Sequence, residues 1–154
     1  MYTREEAKRI KEEFWTRFGQ FMALSTSEEG TKVNWINYKT GVKHLYFRMD
    51  ADNKTAQIYI EISHPDAGIR ELMYDQFVEY RLLLEDSLGE TWEWDPVYYD
   101  DNQRKTARIS LSINRKTSIF KQEDWPDLIS FFKPRLLALD SFWSTAKYAF
   151  EIFK

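Results

Sequence analysis

Three acidic residues lie close together in the sequence: Asp50, Asp52 and Glu61. Carboxylate oxygens are the ligands that Mg²⁺ prefers, and metal-dependent nucleases often combine an acidic residue on one strand with a Glu-x-Lys on the next. In this chain, the residue two positions after Glu61 is Ser63 rather than lysine. The two aspartates are also predicted to lie in a turn, at the far end of a hairpin from Glu61. We therefore predict no metal-binding residues and no active nuclease site.

Histidine and cysteine chemistry has few candidates in this chain. There are two histidines, His44 and His64, and there is no cysteine, which excludes disulfides, cysteine-based zinc sites and thiol nucleophiles. The glycine-rich phosphate loop, Gly-x-Ser-x-Gly and His-Glu-x-x-His motifs are also missing from the sequence. His64 is predicted to cap a helix or lie at the surface, whereas His44 is predicted to face Glu61, either as a tuned acid–base pair or as an ordinary cross-strand pair. The missing motifs and the small number of histidines favour a protein without catalytic or cofactor-binding residues.

A β-hairpin over residues 42–62 is predicted to position these residues, and the rest of the chain is expected to cover one of its faces. Side chains alternate between the two faces of a strand, and both halves of this stretch alternate between apolar and polar residues. The turn is predicted at residues 50–54, which are rich in turn-favouring types. Aligning the apolar faces predicts three pairs on the polar face: Tyr46 with Tyr59, Arg48 with Gln57, and His44 with Glu61.

Helical periodicity and capping signals predict three helical segments in the rest of the chain. They run from Thr3 to about Leu24, from about Asp66 to the cap at Gly89, and from Asp124 onwards through Pro134. Because proline removes a backbone hydrogen bond, the last segment is either one kinked helix or two helices. It is also apolar on more than one stripe, so it needs a second partner besides the sheet. That partner is either the first helix or a second subunit.

A second hairpin is predicted between the last two helical segments, with strands over residues 91–98 and 105–113. Pro96 lacks a ladder donor, so its strand is expected at a sheet edge or at a bulge. Residues 31–38 suit either a short edge strand or an ordered loop. The predicted fold is α+β: an antiparallel four- to five-stranded sheet with helices packed mainly on one face, in the order α-(β)-β-β-α-β-β-α.

The sheet face without helices is the predicted functional surface, because it is left to meet water or a partner. The candidate interaction residues are His44, Tyr46, Arg48, Tyr59, Glu61 and Arg108. Tyrosine and arginine are enriched at protein interfaces, although a solvated face stabilised by cross-strand pairs is the simpler alternative. A further hypothesis is a ligand pocket lined by Trp92, Trp94, Phe142 and Trp143, against the simpler expectation that these rings fill the core.

Composition and charge set the class of protein. A chain of 154 residues is expected to be one α+β domain over residues 1–154, and it buries about two-thirds of its unfolded surface. The formal net charge of -3 does not favour nucleic-acid binding through bulk charge, although a local basic patch is compatible with it. No apolar run approaches the length of about 18 residues that spans a membrane. The N-terminus is charged throughout and unlike a secretory signal, so a cytoplasmic location is expected.

Several runs of the chain resemble a bacterial domain of unknown function. These runs are NWINYKTGVKHLYFRMDADNK, AQIYIEI, Trp92-Glu93-Trp94, Ala107-Arg108-Ile109 and DWPDLISFFKPRLLALDSFW. The similarity spans nearly the whole chain and is typical of the small stand-alone version of that domain. In longer relatives a similar domain follows a nuclease-like domain, so the resemblance implies, by association, a link with DNA processing or defence. It implies an α+β fold and carries over no catalytic residues.

Two classes of function compete. The leading hypothesis is a soluble, non-enzymatic protein-interaction module that self-associates through the open sheet face or the last helix, with a second copy or another protein as its partner. The alternative is a nucleic-acid-binding accessory protein or a degenerate restriction-endonuclease-like domain. In that alternative, tyrosines stack on bases, binding falls steeply with salt, and the phosphate contacts are Arg48, Arg104, Lys105 and Arg108.

Overall fold

The computed structural model of the protein describes residues 2–154. Four α-helices lie in this part of the chain: α1 (Arg4–Met22), α2 (Ala67–Glu79), α3 (Arg81–Leu88) and α4 (Trp125–Ala146). Four strands lie in two pairs between them: β1 (Leu45–Ala51), β2 (Ala56–Ile62), β3 (Glu93–Tyr99) and β4 (Lys105–Ser112). Short 3₁₀ segments flank α4 at Gln122–Asp124 and Lys147–Phe153. None of the described helices is long and apolar enough to cross a membrane.

The four strands form one antiparallel sheet in the order β1-β2-β4-β3, against which α2 and α4 pack. Five side chains of the two central strands that face the helices have no exposed surface: Ile58, Ile60, Ile62, Ala107 and Ile109. Removing one such isoleucine side chain from water contributes about 1.5–3 kcal/mol to folding. This arrangement confirms the predicted α+β fold and its order of helices and hairpins.

The aromatic rings that sequence analysis offered as a pocket lining are core residues. Trp92, Phe142 and Trp143 are 5%, 1% and 2% exposed. Trp94 is partly buried and packs edge-on against Tyr74 of α2, with ring centroids 5.9 Å apart. These rings join the sheet to the helices.

The strand pairing of the first hairpin is shifted by two residues from the predicted register. The observed partners are Tyr46 with Glu61, Arg48 with Tyr59, and Asp50 with Gln57, so all three predicted pairs are wrong. The carboxylate of Asp52 accepts hydrogen bonds from the N–H groups of Lys54 and Thr55, both at 2.8 Å. This tight turn allows Asp50 and Ala51 to continue β1 instead of forming the turn. A shift of two residues keeps every side chain on its face, so the predicted faces are right although the pairs are not.

The predicted second helix is two helices in the structure, since the backbone leaves the helical conformation at Tyr80 (φ -99°, ψ 15°). The two parts face different neighbours. On α2, the ring of Phe77 lies 4.6 Å from that of Phe150 in the C-terminal 3₁₀ segment, and α2 also packs against β2 and β4, whereas α3 packs along α4. The signals at both ends are confirmed, because Asp66 caps α2 and Gly89 (φ 70°) ends α3 in the left-handed conformation.

The last helix, α4, is continuous through Pro134, which decides between the two sequence alternatives. Pro134 has no N–H group, so one backbone hydrogen bond of the helix is missing. In the same turn, the Arg135 side chain donates a hydrogen bond to the carbonyl oxygen of Phe131 at 2.9 Å. Both α1 and α3 pack against α4. Between α1 and α4, the rings of Phe18 and Phe132 lie 5.9 Å apart. The second partner of α4 is therefore in the same chain, and no second subunit is needed to explain its apolar surface.

Residues 31–38, for which the sequence allowed a strand or a loop, form a loop. The buried carboxylate of Asp140 on α4, in a residue 5% exposed, holds this segment. It accepts a hydrogen bond from the Tyr38 hydroxyl at 2.5 Å and one from the N–H of Glu28 at 2.6 Å. Burial, together with the bond to Asp140, raises the pKa of Tyr38 above its usual range. Side-chain bonds to α4 therefore fix the loop in place of strand pairing.

Candidate functional site

The sheet face opposite the helices, called the outer face below, carries five of the six predicted interaction residues. Tyr46 and Arg48 come from β1, Tyr59 and Glu61 from β2, and Arg108 from β4. Strand alternation places them there, because each lies next to residues whose side chains are buried under the helices. They line an open groove of about 1340 Å³.

Arg108 lies at the centre of the outer face. Its guanidinium carbon is 3.8 Å from the ring centroid of Tyr59 and 3.8 Å from that of Tyr98. Its Nη1 donates a hydrogen bond to Gln57 at 2.9 Å, and its Nη2 lies 3.7 Å from a Glu61 carboxylate oxygen. The residue is 6% exposed. Cation–π contacts are worth about 2 kcal/mol when desolvated, so the two rings contribute to holding this buried cation.

Glu61 joins Arg108 to the edge of the sheet. Its other carboxylate oxygen accepts a hydrogen bond from Arg48 Nε at 3.0 Å. The Arg48 guanidinium also lies over the ring of Tyr46, 4.1 Å from its centroid. The Arg48 side chain is 45% exposed, whereas that of Glu61 is 11% exposed. One carboxylate therefore serves two arginines, of which one is buried and the other faces solvent.

The outer face is less open than the sequence suggested. Tyr59 is 4% exposed, Thr106 and Ser110 are 2% exposed each, and Arg108 is covered by two rings. Long side chains from adjacent strands lie across the central strands and exclude water from them. Exposed residues of the face lie at its margins, and within the network around Arg108 the most exposed side chain named above is Arg48, on the β1 side.

Tyr59 is tied to β1 by a hydrogen bond from its hydroxyl to Asp50, at 2.7 Å. Burial is the main cause that raises the pKa of Tyr59 above its usual range, and the bond to Asp50 adds to it. A phenol held protonated in the folded state stabilises that state fully below the unfolded pKa of about 10. The contribution is lost as the pH rises through the folded pKa.

Raising the pH from about 9 to about 12 is therefore expected to lower the free energy of unfolding, and Tyr59→Phe is expected to make that decrease smaller. Phenylalanine keeps the ring over Arg108 but has no proton to lose. Urea unfolding at a series of pH values measures the slope, and Tyr99→Phe, at a tyrosine 53% exposed, is the matched control. Equal slopes for Tyr59→Phe and the wild type would contradict this assignment.

His44 lines the same groove as the other five predicted site residues, but it is the one that lies outside the strands of the sheet. It lies outside β1 with a left-handed backbone (φ 66°), which is uncommon for a residue other than glycine. Its ring packs edge-on against that of His64, 4.8 Å away, and not against Glu61. The two-residue shift of the hairpin is the reason, because it brings Tyr46 opposite Glu61. His64 accepts a hydrogen bond from the N–H of Asp66 at 3.0 Å, in agreement with its predicted place at a helix start.

The acidic residues considered for metal binding act as acceptors for protein donors. Asp50 accepts from Tyr59, Asp52 closes the hairpin turn, and Glu61 pairs with arginine. Asp50 lies in β1 and not in the turn, which corrects its predicted position. Within residues 2–154, no group of three or more histidine and carboxylate side chains is placed to hold a metal ion.

Besides Asp50, the sequence prediction also misplaced Tyr98 of the outer face. Simple alternation from Trp94 would place it under the helices. The register of β3 shifts between Asp95 and Tyr98, where one extra residue reverses the alternation. Pro96 was the available signal, because proline in a strand indicates an edge or a bulge. Counting the bulge would have placed Tyr98 over Arg108.

Comparison with known proteins assigns a family. A family model described as "Domain of unknown function (DUF4268)" matches residues 10–147. The chain belongs to the DUF4268 family. No curated protein and no solved structure matches the chain.

The match confirms that the chain resembles a domain of unknown function. It includes all four strands of this DUF4268 domain and therefore every outer-face residue named above. The link to nuclease-like domains in longer relatives stays a prediction.

Proposed function

We propose that this DUF4268 domain is a non-enzymatic protein-interaction module that self-associates, and that the β1 side of the outer face is its binding surface. The observation that carries the proposal is the network of Tyr46, Arg48, Tyr59, Tyr98 and Arg108, which crosses all four strands. Tyrosine and arginine are the residue types that, with tryptophan, most often dominate binding energy at protein interfaces.

The outer face is ordered before any partner binds, which supports a role in recognition. Arg48 is bonded to Glu61 at 3.0 Å and lies over the ring of Tyr46, and Glu61 is itself paired with the buried Arg108. Ordering a flexible side chain at an interface costs about 0.5–1.5 kcal/mol. Because these side chains are already fixed in the folded chain, a partner loses less of its binding free energy to their ordering.

Two carboxylates of the outer face, Glu61 and Asp50, support the non-enzymatic part of the proposal. Glu61 is shared between Arg48 and Arg108, and Asp50 accepts from Tyr59. Each carboxylate is engaged in holding the network together. Chemistry at either one would require breaking these bonds.

The surface is tested with the double substitution Tyr46→Ala and Arg48→Ala. Both side chains lie on the solvent side of the network, whereas Tyr59, at 4% exposed, is unsuitable because its loss would disturb the fold. We expect self-association to weaken by about tenfold or more, as for the loss of a dominant contact. Light scattering coupled to size exclusion, over a series of concentrations, measures the change.

The matched control is Tyr148→Ala, which removes a ring that is 66% exposed in the C-terminal segment. Thermal melting of each variant shows whether it is folded. Unchanged self-association of the folded double variant would reject the β1 side of the outer face as the binding surface.

The nucleic-acid hypothesis stays a prediction that no observation favours. Arg48 and Arg108 both pair with Glu61, and Arg104 lies 3.4 Å from Asp100. Phosphate contacts by these arginines would have to compete with carboxylates of the same chain.

A further inference from the structure

The two edges of the sheet are unlike each other. The β3 edge contains Pro96 and a register shift, features that hinder pairing with another strand. The β1 edge is regular, and it pairs with β2 at each of its 7 residues. Within the described part of the chain, β1 ends the strand order and has no strand on its other side.

The hydrogen-bond pattern shows which backbone groups of β1 point away from the sheet. The Ser63 N–H donates to the His44 carbonyl oxygen at 2.8 Å, and the Asp52 N–H donates to the Thr55 carbonyl oxygen at 2.9 Å. Bonded pairs alternate along an antiparallel ladder, so the residues of β1 that bond to β2 are Tyr46, Arg48 and Asp50. The backbone groups of Leu45, Phe47, Met49 and Ala51 point to the free edge.

Three of these four outward-pointing residues have unpaired backbone groups, although Phe47 and Ala51 are only 4% and 9% exposed as whole residues. The Leu45 carbonyl oxygen already accepts a hydrogen bond from the Thr40 hydroxyl at 2.9 Å. The N–H and carbonyl groups of Phe47, Met49 and Ala51 take part in none of the hydrogen bonds found for residues 2–154. This row of backbone donors and acceptors is a template for one added strand.

We propose that β1 pairs antiparallel with β1 of a second copy of this chain, centred on Met49. This inference rests on the proposed function, because it supplies the contact for the self-association. Met49 of the two copies would lie opposite each other, and Phe47 of each would lie opposite the small Ala51 of the other. On the outer face, Arg48 of each copy would lie opposite Asp50 of the other.

The charges select this register over its neighbours. The outward-pointing residues stay paired with each other only when one strand slides by two residues relative to the other. Sliding it by two residues in one direction places Arg48 opposite Arg48 of the other copy. A step in the other direction places Asp50 opposite Asp50. Like charges directly opposite each other on neighbouring strands are destabilising, whereas opposite charges are favourable. The spacing of Arg48 and Asp50 therefore makes β1 complementary to itself, as a two-fold contact requires.

Edge pairing would extend the outer face across both copies. The two four-stranded sheets would form one continuous sheet, with the exposed Arg48 side chains at its centre. A contact of one short strand is small compared with a standard interface of about 1,600 Å². The dimer is therefore expected to dissociate on dilution, and high salt is expected to weaken it.

The test uses two single variants, Arg48→Asp and Asp50→Arg, separately and as an equimolar mixture. The first variant has two carboxylates on the edge and the second has two guanidinium groups, so each repels its own copy. Sedimentation velocity is expected to show monomers for each variant alone and a dimer for the mixture. Arg48→Asp loses the bond to Glu61 and Asp50→Arg loses the bond from Tyr59, and mixing restores neither of these internal bonds. A dimer that forms only in the mixture therefore reports contacts between the two chains.

The matched control exchanges the exposed pair Glu13 and Arg17 on α1 by Glu13→Arg with Arg17→Glu, which should leave the dimer unchanged. A wild-type dimer together with a monomeric mixture would overturn edge pairing and leave the proposed self-association standing. A wild type that is monomeric at every concentration would overturn both.

A second pair of variants decides the question if the charge variants fail to fold. The N–H of Met49 points to the free edge, so Met49→Pro removes a donor that β2 does not use. Met49→Ala shortens the same side chain and keeps the donor. Edge pairing predicts a monomer for Met49→Pro and a dimer for Met49→Ala. A folded Met49→Pro variant that still dimerises would overturn the proposal.

Discussion

Replacing Glu61 with alanine is expected to lower the free energy of unfolding by about 3–5 kcal/mol, because breaking a buried ion pair leaves an uncompensated charge. Arg108 is 6% exposed, and its Nη2 lies 3.7 Å from the Glu61 carboxylate. Arg48 would also lose its 3.0 Å bond to the same group. Urea unfolding followed by tryptophan fluorescence measures the loss.

The control for this prediction is Glu13→Ala, which removes an exposed carboxylate paired with Arg17 on α1. Exposed helical pairs contribute about 0.3–0.5 kcal/mol, so this variant should remain close to the wild type. Glu61→Gln keeps the size and one acceptor, and it should fall between the two. A Glu61→Ala variant as stable as the control would show that Arg108 does not depend on Glu61.

Replacing Asp140 with alanine is expected to cost about 2–4 kcal/mol, since hydrogen bonds to charged groups contribute about 1.5–3 kcal/mol each and are not fully additive. The carboxylate is buried on α4 and accepts from the Tyr38 hydroxyl and the Glu28 N–H. Loss of the carboxylate would also release the loop that contains Glu28 and Tyr38 from α4. Hydrogen exchange of the Glu28 amide should become faster, beyond the change in global stability.

The partial variant Tyr38→Phe separates the two bonds of Asp140. It removes the hydroxyl bond and leaves the Glu28 bond, so it should cost about half as much as Asp140→Ala. The Glu28 amide should remain protected in it. If Tyr38→Phe and Asp140→Ala lowered the free energy of unfolding equally and left the Glu28 amide unprotected in both, the bond from Glu28 to Asp140 would have no separate role.

Local signals in the sequence were sufficient for most helices and strands. Thr3 accepts the predicted capping hydrogen bond from the Glu6 N–H at 3.1 Å, and Gly89 ends α3. Such signals act over a few residues, so they can be recognised without the fold. The break at Tyr80 was missed because α2 and α3 pack on different neighbours, and contacts of that kind are invisible to helical periodicity.

Most members of the outer face were predictable, but Tyr98, the pairing of the strands and the burial of the face were not. Alternation fixes a face for each residue, and it placed Tyr46, Arg48 and Tyr59 correctly. The register depended on the side chain of Asp52, which binds two backbone N–H groups and shortens the turn. The burial of Arg108 depended on rings from two other strands, and this required the strand order β2-β4-β3.

The central claim is that this DUF4268 domain self-associates, and its solution mass tests that claim most directly. Light scattering coupled to size exclusion should be run over a concentration series at low and high salt. We expect a mass that rises with concentration from 18.6 kDa towards twice that value, with a weaker rise at high salt. A mass that stays at 18.6 kDa at every concentration would contradict self-association.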